Sequence, residues 1–327
     1  MGCGGSSDRG NVHRGNLLLL GSAGAGKSTF FKQVRVLTMD GFDDSMRAEA
    51  KPAVYKNITD ACKKIANLSI KYEITLSDAA MEASEQLKKI KLSTTDPTLI
   101  GQLCKAVWTD PGAMECYDKS LVGETKVKDQ LNTNDIYFLD KIDEICIADY
   151  NPSDQDLLNM RRSTSGAHAL EFTFDPVTFK KPDGSAMKGE KSHWTITDVG
   201  GQIHERATWY EEYEECDGIV FVLSLADFDQ ASQDKRNANK FVEDGINLLL
   251  QVMKVDSLQG VPLVIMLNKK DVFAEKIRIS KTGISCTFPE YTGNLNSPEE
   301  SEKFIRNLVT GIITAETESE SVCHPSN

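Results

Sequence analysis

The chain has 327 residues and a formal net charge of −12, with 40% hydrophobic and 26% charged residues. That composition fits a globular protein with ample core. The length suggests about two domains, and the acidity argues against nonspecific nucleic-acid binding. No run approaches the roughly 20 apolar residues of a membrane-spanning helix, and the 8 cysteines form no C-x-x-C pair. With no secretory signal peptide in view, they read as reduced cytosolic thiols.

Met1-Gly2-Cys3-Gly4-Gly5-Ser6 matches the myristoylation pattern, with Gly2 exposed once Met1 is removed. Cys3 is placed for a palmitoyl chain. Two acyl chains anchor a protein stably to a membrane where one binds only marginally. The plainer reading is a Gly/Ser tail. At the other end, Cys323 stands one residue too early for prenylation.

Leu17–Leu20 predicts a strand and Phe30–Leu37 a helix. Between them Gly21-Ser22-Ala23-Gly24-Ala25-Gly26-Lys27-Ser28-Thr29 carries the pattern G-x-x-x-x-G-K-[ST]. Glycines let successive backbone N–H groups curl around a phosphate, and the helix N-terminus adds a positive dipole end. Lys27 can then reach the terminal phosphates, and the Ser28 hydroxyl can ligate Mg²⁺. By itself this loop indicates a nucleoside triphosphate and no more.

Met39–Ser45 reads as a linker. From Met46 to about Tyr150 apolar residues recur at three- and four-residue spacing: Ile58, Cys62, Ile65, then Leu99, Leu103, Val107, then Ile136, Leu139, Ile142. This predicts an all-helical insert of about 100 residues with its own core. After Pro152 the pattern turns α/β. Ala169–Phe174 and Trp194–Thr197 read as strands, and Pro182-Asp183-Gly184 reads as a hairpin turn. Gly218–Leu225 and Val261–Leu267 are continuous apolar runs, which suit strands buried on both faces of a mostly parallel sheet. Arg236–Val255 predicts one helix.

Three further constellations follow predicted elements. Asp198-Val199-Gly200-Gly201-Gln202 ends a strand, where Asp198 can support Mg²⁺ through water, Gly201 can approach a γ-phosphate and Gln202 can orient an attacking water. Asn268-Lys269-Lys270-Asp271 ends another. A carboxylate there accepts from guanine N1–H and N2–H₂ together, which favours guanine by ~10⁴-fold over a base lacking that donor pair. Leu157-Leu158-Asn159-Met160-Arg161-Arg162-Ser163-Thr164 stands where the helical insert rejoins the sheet. An arginine here can neutralise γ-phosphoryl charge and Thr164 can offer Mg²⁺ a second hydroxyl.

With these residues in order, the chain resembles an α subunit of a heterotrimeric G protein, from about Leu17 to about Asn307. Leu103-Cys104-Lys105-Ala106-Val107-Trp108, Asp149–Ser153 and Phe288–Gly293 carry the resemblance further. It implies an α/β P-loop GTPase (Ras-like) domain at 17–45 and 157–327, with a mostly parallel central sheet. An all-α helical domain at 46–156 interrupts it, and residues 1–16 form a lipidated tail. It implies GTP hydrolysis to GDP and phosphate, with catalysis by Gln202, Lys27 and an arginine finger at Arg161. Nucleotide contacts would come from Gly21–Thr29, Leu158, Arg161, Thr164, Gly201, Asn268, Lys269, Asp271 and Cys323. Ser28, Thr164 and Asp198 would serve Mg²⁺, and Gly2 and Cys3 would carry myristoyl and palmitoyl groups. The implied partners are a βγ dimer, a G-protein-coupled receptor, an effector and a regulator of G-protein signalling, at the cytoplasmic face of the plasma membrane.

The chain departs from the family's pattern at Gly24, where an acidic residue is usual, and at Ala25, Asn159, Arg162 and Ile203. About ten residues separate Ser6 from the first strand, and the family's last helix has no counterpart, so weaker nucleotide retention and poor receptor coupling are expected. Val322-Cys323-His324 is the best candidate for the loop that backs the guanine ring. A membrane-anchored nucleotide-binding scaffold or decoy is the alternative to a working switch. An ATP-dependent kinase is disfavoured by Asn268–Asp271.

Overall fold

The computed structural model describes residues 13–93, 95–121, 131–161, 166–174, 178–180, 185–188, 191–232, 235 and 238–323. The sequence calls on Gly2, Cys3, Arg162, Thr164 and Pro182–Gly184 lie outside the described residues.

Strands β1 (His13–Leu20), β2 (Ala167–Phe174), β5 (Ser192–Val199), β6 (Gly218–Ser224) and β7 (Leu263–Asn268) form one sheet in the order β2-β5-β1-β6-β7, while β3 (Thr178–Lys180) and β4 (Ala186–Lys188) pair as a separate hairpin. β1 runs parallel to β5 and β6, with Leu17 opposite both Ile196 and Gly218, and β6 runs parallel to β7, with Ser224 opposite Asn268. Within this sheet, among the described residues, only β2 is antiparallel, against β5. The register has one consequence for function. Leu20, Val199, Ser224 and Asn268 all end on the same edge of the sheet, so the loops that follow them meet there.

Leu18, Leu19 and Leu20 of β1 and every residue of β6 are buried, as a central parallel pair requires. β7 corrects an expectation. Its apolar run predicts burial on both faces, yet Val264 is 58% exposed and the rest of the strand is half-buried. β7 is the edge strand, so only one of its flanks is covered by a neighbouring strand.

Helix α1 (Lys27–Thr38) follows the glycine loop. The described residues that follow form helices only: α2 (Asp44–Lys71), α3 (Asp78–Lys89), α4 (Pro97–Trp108), α5 (Pro111–Leu121), α6 (Thr133–Asp140), α7 (Ile142–Ile145) and α8 (Asp154–Asn159). α2 begins inside the stretch that reads as a linker, because the Asp43 carboxylate accepts from the Met46 N–H at 2.9 Å and caps it. Its Val54, Ile58, Ala61, Cys62 and Ile65 are fully buried against Leu87, Ile100, Cys104, Val107 and Phe138 of the surrounding helices. Each buried Ile or Leu contributes roughly 1.5–3 kcal/mol, so this bundle carries a core separate from that of the sheet. The Asp110 carboxylate joins two helix starts, accepting from the N–H groups of Ser77 and Gly112 at 2.9 Å each.

Past the sheet's centre lie α9 (Trp209–Tyr213), α10 (Leu248–Met253), α11 (Lys270–Ile279) and α12 (Pro298–Cys323). The helix expected over Arg236–Val255 is described only from Lys240, and Phe241–Asn247 winds as a π-helix before α10. Gly245 lies at its contact with β6, where an added Cβ would be 2.5 Å from Leu223 Cδ1. The backbone comes closer to the strand here than any side chain would permit.

α12 corrects another expectation. Val322 and Cys323 end this helix and do not sit in a loop after a last strand, and among the described residues no strand follows β7. The apolar spacing of Phe304, Ile305, Leu308, Val309, Ile312 and Ile313 packs α12 against the core around Phe273 and Ile277 and carries it on as a helix.

Candidate functional site

The loop Gly21–Gly26 leaves β1 and enters α1 through three glycines of positive φ: Gly21 at 139°, Gly24 at 76° and Gly26 at 111°. Lys27 opens the helix and is buried, its Nζ donating to the carbonyl oxygens of Gly21 at 2.9 Å and Ser22 at 3.1 Å. Burial pulls its pKa down to about 8. The Asp198 carboxylate opposes that shift and the Arg206 guanidinium adds to it. Lys27 is thus a desolvated cation held over the glycine loop, ready for an anion that would raise its pKa again.

The second loop leaves β5. An added Cβ on Gly201 would fall on Lys27 Nζ and 2.8 Å from the Gly21 carbonyl oxygen, so this residue touches the glycine loop as only glycine can. Trp209 is buried and donates from Nε1 to the Gly200 carbonyl at 2.8 Å, and Arg206 Nε donates to the Gly201 carbonyl at 3.2 Å. These bonds hold Gly200–Gly201 while Gln202 and Ile203 stay exposed. The Gln202 N–H donates to Glu205 at 3.1 Å, which starts a short 3-10 turn over Ile203–Thr208.

The third loop leaves β7. Asn268 Nδ2 donates to the Ala25 carbonyl at 2.8 Å and so ties this loop to the glycine loop. Lys269 adopts φ 57°, one of two positive-φ non-glycine residues among those described, and such strain concentrates at functional sites. Burial lowers its pKa to about 8, opposed by Asp227 and reinforced by Lys240, Arg161 and Lys276. Asp227 and Lys240 form a buried ion pair at 2.9 Å. Burial alone would push the Asp227 pKa up, but Lys240 and Lys269 hold it below the usual carboxylate range.

One cleft of about 740 Å³ joins these loops to the helical layer. Of the sequence-predicted residues it is lined by Ala23, Gly24, Gly26, Lys27, Ser28, Thr29, Leu158, Arg161, Gly201, Gln202, Asn268, Lys269 and Asp271. Gly21, Ser22 and Ala25 shape the loop from behind, Ala25 fully buried in the sheet's core. Asp198 is buried behind the cleft wall, close enough to raise Lys27. Cys323 ends α12. Space is open at Gly24, where an added Cβ would meet nothing within 4 Å.

Some contributors carry no sequence signal. Lys32 on α1 donates to the carbonyls of Leu157 at 2.9 Å and Met160 at 3.0 Å, closing the end of α8 over the cleft. Asp227, Lys240 and Lys276 line its floor. Across the layers, Tyr117 Oη donates to the Glu275 carboxylate at 3.2 Å. Lys32, Tyr117 and Lys276 stand in no motif, because each acts on a partner far along the chain.

A family model described as the G-protein alpha subunit matches residues 6–327. The chain belongs to the G-protein alpha subunit family. This alpha subunit is 29% identical over 310 residues to the guanine nucleotide-binding protein alpha-6 subunit of Caenorhabditis elegans, covering 93% of this chain and 79% of that protein. It is 30% identical over 286 residues to the alpha-7 subunit of Caenorhabditis briggsae, covering 86% and 74%. It is 29% identical over 301 residues to subunit alpha-13 of Mus musculus, covering 88% and 73%.

The two depressed lysines of this alpha subunit predict a protonation signature. Below pH 8 both are charged in the empty cleft and in a nucleotide complex, so binding takes up no proton from them. Above pH 8 the nucleotide-free cleft loses these charges, and the phosphate that meets Lys27 must restore its proton. Guanine-nucleotide affinity is therefore expected to fall as pH rises from 8 to 9.5. Calorimetry in two buffers of different ionisation enthalpy should show proton uptake at pH 8.5 and almost none at pH 6.5. Equal uptake at both values would contradict the lysine assignment.

Proposed function

We propose that this alpha subunit is a GTP-hydrolysing switch. The observation that supports it best is the convergence of Lys27, Gln202, Arg161, Asn268, Lys269 and Asp271 on one cleft between the sheet's loop edge and the helical layer. Asp271 reads the guanine edge and Lys269 lies along the base. Gly21–Thr29 cradle the phosphates, with Lys27 on the β and γ groups. Gln202 orients a water in line with the γ-phosphorus. The water oxygen bonds to phosphorus as the bond to the β–γ bridging oxygen breaks, and Lys27 and Arg161 meet the charge that develops.

The residues present suit a hard cation, since Ser28 offers a hydroxyl oxygen at the cleft and Asp198 a buried carboxylate behind it. They would hold Mg²⁺ together with Thr164, Asp198 acting through water. When bound, the ion neutralises charge on the β- and γ-phosphates. We further propose acylation at Gly2 and Cys3, residence on the cytoplasmic face of the plasma membrane, and partnership with a βγ dimer, receptor, effector and regulator of the kind this family uses.

Single-turnover hydrolysis of preloaded GTP tests the reading. Gln202→Leu is expected to slow phosphate release by about 10²-fold or more, since a misplaced water loses its near-attack geometry. GTP affinity should stay within a few-fold, because Gln202 is exposed and holds no part of the loop it follows. Hydrolysis by the unmodified chain at the spontaneous solution rate would sink the switch and leave a nucleotide-binding scaffold.

A further inference from the structure

Arg161 is the last described residue of the segment that leaves the helical layer, and its side chain is exposed at the cleft. A guanidinium on a long flexible stem is placed no better than its backbone is placed. The backbone of Arg161 is held by one side chain 104 residues earlier in the chain. Asn57 Oδ1 accepts from the Arg161 N–H at 2.8 Å, and Asn57 Nδ2 donates to the Arg161 carbonyl at 3.1 Å. The same Nδ2 donates to the Ala53 carbonyl of its own helix at 2.8 Å, which fixes the amide's orientation. Asn57 is half-buried, between Val54 and Ile58, both fully buried in the bundle core. The clamp is therefore anchored to a helix packed into the bundle core. Lys32 secures the residue before it, through the carbonyl of Met160.

We infer that Asn57 is a positioning residue for Arg161, which makes arginine placement, and through it hydrolysis, depend on the seating of α2 against the cleft. A side-chain amide that bonds both the N–H and the C=O of one residue sets the direction in which its Cα–Cβ bond leaves the chain. Loss of the clamp leaves charge and nucleotide contacts in place and removes only that direction. The inference rests on the reading of Arg161 as the charge-neutralising arginine.

Asn57→Ala and Arg161→Ala, singly and together, test it by single-turnover GTP hydrolysis alongside equilibrium GTP and GDP binding. Asn57→Ala is expected to slow hydrolysis by about 10- to 10²-fold, the scale of a displacement of order 1 Å at a reacting centre, with nucleotide affinity within about threefold. The double variant is expected to be no slower than Arg161→Ala, because residues that act through one another are not additive. A double variant slower than Arg161→Ala by the full factor of Asn57→Ala would overturn the inference. So would an unchanged rate in Asn57→Ala while Arg161→Ala is slow. Arg161→Ala at the wild-type rate would instead overturn the reading of Arg161 itself. Should Asn57→Ala fail to fold, Asn57→Asp keeps the acceptor and loses the donor. It is expected to be slowed by roughly 3- to 10-fold, the scale of one lost hydrogen bond, and hydrolysis at the wild-type rate in that variant would overturn the clamp.

Discussion

Replacing Arg161 with alanine is expected to slow GTP hydrolysis by about 10³- to 10⁵-fold, the range already known for arginine fingers of this family and its relatives rather than one worked out from this geometry. What the structure adds is the reason the residue is available. Lys32 holds the carbonyls of Leu157 and Met160, Met160 is buried, and Arg161 then emerges at the cleft. Its charge reaches Lys269, whose pKa it helps to lower. The empty cleft thus concentrates positive charge from Lys27, Lys269 and Arg161, and a triphosphate relieves it. The measurement is phosphate release after Mg²⁺ is added to protein preloaded with GTP. Arg161→Lys should recover little, because an ammonium lacks the planar fork that pairs with phosphate oxygens. A slowdown below tenfold in Arg161→Ala would remove this residue from the chemistry.

Gly26→Ala is expected to weaken both GTP and GDP binding by about 10²-fold or more. Gly26 sits at φ 111°, and an added Cβ would fall on Asn268 Nδ2. That nitrogen donates to the Ala25 carbonyl at 2.8 Å, the bond that joins the phosphate loop to the base loop. Alanine therefore meets a strained backbone, of order 1–3 kcal/mol, and also displaces a hydrogen bond of about 1 kcal/mol. At 1.4 kcal/mol per tenfold, the sum accounts for the loss. Gly24→Ala is the matched control. Its φ of 76° carries strain, but nothing lies within 4 Å of the added atom, so a loss nearer tenfold is expected. Equilibrium titration with a fluorescent guanine nucleotide checks both. Equal losses in the two variants would show that backbone strain, and not the tie to Asn268, sets the effect.

The loops were legible because their chemistry is local. Gly21–Thr29, Asp198–Gln202 and Asn268–Asp271 are each contiguous, and each follows a segment that reads as a strand. The helical insert was legible for a similar reason, since Ile58, Cys62 and Ile65 recur at helical spacing and all three are fully buried in one core. Burial of β7 was misread because an apolar run does not reveal whether its strand lies inside the sheet or at its edge. The π turn over Phe241–Asn247 was missed because an apolar pattern at helical spacing does not distinguish α from π winding over a single turn or two. Cys323 was misplaced for want of any periodic signal separating a loop from the end of a long helix.

The sequence by itself determined which chemical groups this protein brings to the cleft and the order in which they come: the glycine loop, Arg161, Gln202 and the Asn268–Asp271 segment. Tertiary structure decided what holds them together. The parallel register of β5, β1, β6 and β7 sets the loops on one edge. Asn268 ties the base loop to the glycine loop, Gly201 of the third loop packs against that same glycine loop, and Asn57 and Lys32 fix the backbone from which Arg161 reaches the cleft. Motif chemistry depends on neighbours in the chain, which a sequence displays directly. Placement depends on hydrogen bonds between residues a hundred or more positions apart, which exist only once the chain has folded.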